Sequence, residues 1–173
     1  MTRTLLQFIL KFLILIPAQA LIFNNLVLFD VAVPFVFIYL IVSMPITWST
    51  NATLLIGFLT GMAVDIFSDT LGMNALACTL LAFLQKPVFH LYVQRDEDLG
   101  GLKPSARSMG PAEYMKYLIT MVVLYCCCIF LIDAFAVFSL IHLLLCVLCS
   151  SAFTFVIIYA LDSITTARNE KRL

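Results

Sequence analysis

Apolar residues run through this sequence in blocks that only a bilayer would cover, and each block is closed by a short polar break. The blocks are Leu5 to Phe23, Val31 to Trp48, Ala52 to Phe67, Met73 to Tyr92, Tyr117 to Ile132 and Ala134 to Leu161. A helix needs about 20 apolar residues to cross the hydrocarbon core, so each block is read as a transmembrane helix. The breaks are turn-forming or polar: Asn24 and Asn25, Ser49 to Asn51, Ser68 to Gly72, the long run Gln94 to Glu113, and Asp133 alone at the last hairpin. Composition agrees, with 63% hydrophobic and 12% charged residues and a mean hydropathy of +1.08. An ordinary soluble domain is nearer one-half apolar. The expectation is an all-α integral membrane protein of about six transmembrane helices, forming a single transmembrane domain over residues 1–173.

Positive charge orients the spans, because Lys and Arg near span ends are retained on the cytoplasmic side. Arg3 precedes the first block, Arg95, Lys103, Arg107 and Lys116 surround the long polar run, and Arg168, Lys171 and Arg172 close the chain. The opposite loops hold Asp30, Asp69 and Asp133 without a single Lys or Arg. Both termini, the loop over 94–113 and the tail over 163–173 are therefore expected to be cytoplasmic. Lys11, a short apolar run and AlaGlnAla at 18–20 also imitate a cleavable signal peptide. The apolar run resumes at once through Phe23, which favours an uncleaved span.

No phosphate-cradling glycine loop, HExxH or GxSxG occurs, so no catalytic residue, cofactor or nucleic-acid partner is expected. Six cysteines lie inside the apolar blocks: Cys78, Cys126 to Cys128, Cys146 and Cys149. The CxxC spacing of the last pair could suggest metal or redox chemistry, but small polarizable packing residues explain it better, and no metal site is expected. Lys86 precedes Pro87, which should kink or end its helix and leave Lys86 with the headgroups.

Asp65 is the residue that needs explaining. Gly57, Gly61 and Asp65 recur every four residues and share one helix face, with Thr53 and Ser68 close to it. A carboxylate within a span normally points to protein or to a water-filled cavity. The face is either a packing seam with Asp65 bonded locally, or the wall of a cavity or partner-docking groove completed by Gly72 and Asn74. These five residues are the candidate partner- or ligand-binding set.

The run GFLTGMAVDIFSDTLGMNALACTLLAFL resembles the central signature of the MreD family, small membrane proteins of the bacterial rod-shape system, in which a GxxxG-like helix leads into a DxxS turn, then LG and a small, apolar helix. The resemblance extends to PheValPheIleTyr after Pro34, to the length and to the six-helix plan. Two positions depart from the pattern: Asp69 stands where the family usually has a small residue, often glycine, and Phe35 replaces a polar one.

The resemblance implies a non-enzymatic component of the cell-elongation machinery in the bacterial inner (cytoplasmic) membrane. Its direct partners would be an MreC-like protein and membrane lipids, and its indirect ones the MreB filament, RodA and a penicillin-binding transpeptidase. The family is also similar in fold to the substrate-binding subunits of energy-coupling-factor transporters. That similarity implies an alternative function, a solute-binding subunit in which Asp65 and Asn74 contact a polar ligand.

Overall fold

The computed structural model describes residues 2–23, 32–70, 72–93, 104–133 and 140–170. The described chain is helical: α1 (Thr2–Leu21), α2 (Tyr39–Val42), α3 (Thr50–Ser68), α4 (Met73–Tyr92), α5 (Ala106–Met109), α6 (Pro111–Asp133) and α7 (Leu140–Glu170), with a 3-10 turn at Val36–Ile38. Four stretches are long and apolar enough to cross a membrane: Thr50–Ser68, Met73–Tyr92, Pro111–Ile132 and Leu143–Ile164. The chain is thus an all-α, multi-pass membrane protein. α1 adds a shorter apolar stretch, Phe8–Leu21.

The second expected helix, Val31 to Trp48, does not form as a span. In its place the chain passes through the 3-10 turn, the single helical turn of α2 and a series of bends up to Ser49. Local chemistry explains the failure. Pro34 and Pro45 bracket the segment, each lacking an N–H and disfavouring helical geometry in the residue before it. Between them Val36, Ile38, Ile41 and Val42 are β-branched, which weakens the helix further.

Among the described residues this irregular segment is a continuous buried run. Val36, Phe37, Ile38, Leu40, Ile41 and Val42 are completely buried. Non-helical backbone at membrane depth is tolerated only where protein satisfies its polar groups, and here the surrounding helices do so with side chains. Gln19 of α1 uses both ends of its amide, donating to the Pro34 carbonyl at 2.9 Å and accepting from the Val36 N–H at 2.9 Å. From α7, Ser150 and Thr154 accept the Val33 and Phe35 N–H groups, each at 3.0 Å. Tyr117 of α6 donates to the Val42 carbonyl at 3.2 Å, and Gln85 of α4 donates to the Met44 carbonyl at 2.9 Å.

The segment runs antiparallel to α1. Gln19 meets its beginning, Lys11 donates to the Tyr39 hydroxyl at 3.3 Å, and Phe8 packs edge-on against Trp48 with ring centroids 5.8 Å apart. Tyr39 in turn donates to Asp162 of α7 at 2.9 Å, and both residues are buried.

Two boundaries also shift. α6 begins at Pro111 rather than Tyr117, because the Ser105–Ser108 capping box builds α5 immediately before it and Pro111 suits a first helical position. The expected loop over 94–113 is therefore ordered helix from Ala106, while residues 94–103 lie outside the described part. α7 continues to Glu170, past the expected end at Leu161 and into the stretch read as a tail, since no Gly or Pro interrupts it. α4 keeps its expected bounds, Met73–Tyr92: Pro87 does not end it, and Val88 and Phe89 are buried beyond the proline.

Replacing Gln19 with Leu leaves the Pro34 carbonyl and the Val36 N–H unsatisfied together. The expected loss is about 3 kcal/mol, at roughly 1–3 kcal/mol per orphaned buried group. Reversible unfolding in bicelles should show it, with Ser43→Ala nearly neutral because that hydroxyl makes only a 3.5 Å contact.

Candidate functional site

The GFLTGMAVDIFSDTLGMN stretch folds into the α3–α4 hairpin. Ser49 caps α3, accepting the Ala52 N–H at 3.4 Å. The face of α3 that carries Thr53, Gly57, Thr60, Gly61, Val64 and Asp65 is buried. Its cover is α4 of the same chain. A Cβ on Gly57 would stand 2.7 Å from the Ala82 Cβ and 3.0 Å from the Cys78 carbonyl oxygen. At Gly61 it would overlap the Asn74 carbonyl and stand 2.5 Å from the Ala75 Cα. The two glycines therefore let two backbones within one hairpin touch, and they present no surface to a partner or ligand.

Asp65 finds its role at the end of the same seam. Gly72, the residue at the N-cap position of α4, has no side chain to offer the first free N–H groups of that helix. Asp65 reaches across from α3 and supplies the cap. Its Oδ1 accepts the Asn74 N–H at 3.0 Å and its Oδ2 accepts the Ala75 N–H at 2.8 Å. A carboxylate at a helix N-terminus is also favoured by the helix dipole.

Oδ1 further accepts from the Thr70 hydroxyl at 2.5 Å and the Asn74 side-chain amide at 2.9 Å. The Asn74 Oδ1 then accepts from the Tyr125 hydroxyl at 2.6 Å, which ties α6 into the network. Tyr125 is itself held by edge-on contacts with Phe35 and Phe37 of the irregular segment, at centroid distances of 5.2 and 5.7 Å.

The hairpin turn requires unusual backbone at two places. Asp69 ends α3 in the left-handed region, at φ 52° and ψ 37°, with its N–H bonded to the Asp65 carbonyl. This is a conformation that glycine adopts without penalty and Asp tolerates. Gly72 has φ 76°.

On the outside of the hairpin, α3 and α4 enclose an open groove of about 1020 Å³. Its walls are Phe58, Met62 and Ile66 from α3 and Leu76, Leu80 and Phe83 from α4. All six are exposed, with Ile66 at 73%. At the turn end the groove is closed by Asp65, Asp69, Thr70 and Gly72. The hairpin thus separates two chemistries: the inner seam is small and hydrogen-bonded, and the outer face is large and apolar.

Of the five residues expected to form a site, the fold joins Asp65 and Asn74 directly and sets Gly72 beside them on the groove rim. Gly57 and Gly61 belong to the buried seam instead. Thr70 and Tyr125 complete the network: Thr70 follows Asp65 by five residues, whereas Tyr125 lies on another helix and no spacing in the sequence places it there. Lys86 does not rest among headgroups alone, for its ammonium donates to the Trp48 carbonyl at 2.6 Å and to the Thr50 hydroxyl at 3.3 Å. Cys78, Cys126 and Cys146 are buried among the packed helices.

Gly61→Ala should unfold or severely loosen the hairpin, by about 3 kcal/mol or more, because the new methyl meets backbone that cannot rotate away. Tyr125→Phe should cost less, about 2 kcal/mol, since it leaves the buried Asn74 Oδ1 without its donor, at roughly 1–3 kcal/mol per orphaned group. Thermal unfolding of the purified variants in detergent ranks the two. Comparison of the chain with protein-family models, with curated proteins and with solved structures returned no match.

Proposed function

We propose that this chain is a non-enzymatic component of the bacterial cell-elongation machinery, docking an MreC-like protein in the inner membrane and helping to position side-wall peptidoglycan synthesis. The MreB filament, RodA and a penicillin-binding transpeptidase would be reached indirectly, through that partner. The observation that carries the proposal is the groove on the outer face of α3 and α4. It lies on the stretch that resembles the MreD signature, and its walls are large apolar side chains suited to an apolar transmembrane partner.

The topology accords with both termini on the cytoplasmic side. In this reading α1 and the irregular segment antiparallel to it form one out-and-back pair, ahead of the two pairs made by the four spanning helices. Under this reading the Asn74 end of the bundle faces outward.

The alternative, a solute-binding transport subunit, has less support. Asp65 and Asn74 are committed to each other, to Thr70, to Tyr125 and to the first turn of α4. A polar ligand would have to displace those bonds before gaining its own.

The test is affinity purification from mildly solubilised native membranes, comparing the wild type with Met62→Trp/Leu80→Trp. Both positions are exposed on opposite walls, so the indoles fill the groove without entering the core. Recovery of an MreC-like protein with the wild type, falling about tenfold in the variant, is the expected result; tenfold corresponds to about 1.4 kcal/mol of binding. Recovery of an ATPase module with a stoichiometric small solute would overturn the proposal.

A further inference from the structure

We infer that the α3–α4 groove is built for a single transmembrane helix that carries a Lys or Arg at the level of Asp69. The inference deepens the docking proposal and rests on it. The groove's two ends differ in chemistry. Along its length the walls are Phe58, Met62, Leu80 and Phe83, whereas the turn end carries the exposed carboxylate of Asp69 beside the buried one of Asp65.

The two acids are not equivalent. Asp65 is saturated by the Thr70, Asn74 and Ala75 donors. Asp69 spends its N–H on the Asp65 carbonyl, and among the described residues no Lys, Arg or His side chain pairs with its carboxylate. An exposed carboxylate at the mouth of an apolar groove selects a cation, and an apolar helix ending in a basic residue matches both features at once. Asp69 and Leu54 mark the two ends, and at 1.5 Å per residue they span about 22 Å of α3, most of a bilayer's hydrocarbon depth.

The same charge argues against a second copy of this chain. Copies insert in one orientation, so a two-fold axis along the membrane normal would set the two Asp69 carboxylates at one level, facing each other across the contact. Like charges so placed repel, whereas a basic residue on a different protein attracts.

The test uses the full chain in nanodiscs with a benzophenone amino acid replacing Phe58, Leu80 or, as a control on another face, Leu148 of α7. The probes are synthetic leucine–alanine helices of roughly 22 residues, one with Lys at an end and one with Glu there. The Lys helix should label positions 58 and 80 about fivefold more than the Glu helix, the most that a largely exposed ion pair provides. Asp69→Asn should abolish that preference while keeping the turn, since Asn also tolerates the left-handed region.

Equal labelling by the two helices, equal labelling at position 148, or crosslinking of the chain to itself through position 58 would each overturn the inference. Because no native partner is present, these outcomes are independent of whether an MreC-like protein co-purifies.

Discussion

Satisfying a non-helical backbone inside a membrane is the constraint on which the rest of this structure depends. Residues between Pro34 and Pro45 cannot make a full set of helical hydrogen bonds, and no water is at hand in hydrocarbon to replace them. The fold meets the demand from four sides, with Gln19 of α1, Gln85 of α4, Tyr117 of α6, and Ser150 with Thr154 of α7. Each of these side chains would be costly against lipid. Facing inward onto the segment, they instead specify how the helices are arranged around it. Hydrogen-bond geometry supplies a register that apolar packing alone, being non-directional, does not.

The Asp65 network does for the α3–α4 turn what the glutamines do for the irregular segment. Gly72 lets the chain turn sharply but provides no cap, so a carboxylate from the preceding helix provides it. Asn74 then passes the connection to Tyr125, whose ring rests on Phe35 and Phe37 of the irregular segment. The hairpin and the central segment are in this way parts of one polar scaffold. With the interior groups used to hold the fold, the outer face of α3 and α4 is left open, its apolar walls meeting Asp69 at the turn.

Much of this was legible in the residues. The four spanning helices follow from the apolar blocks, and the shared face of Gly57, Gly61 and Asp65 follows from their spacing. A packing seam with Asp65 bonded locally was a reading that the spacing allowed. The sequence carries further signals of the irregular segment. Gln19 and Gln85 lie within apolar blocks, and an amide there implies a buried polar partner. Pro34 and Pro45, with β-branched residues between them, mark the stretch that fails as a helix. The identity of the partner was not legible, because Gln19 is matched to the backbone of residues 34 and 36 only by how α1 lies against the segment.

By itself, then, the sequence determined that the chain enters a bilayer, where its long helices run and which face of α3 is small, since hydropathy and period are local properties of consecutive residues. Only the tertiary structure decided that this face closes on α4 of the same chain, that Asp65 caps that helix, and that large apolar side chains are left outside as a groove. Those outcomes depend on which surfaces meet. Two small faces approach more closely than a small and a large one, and a carboxylate goes where unpaired N–H groups await it.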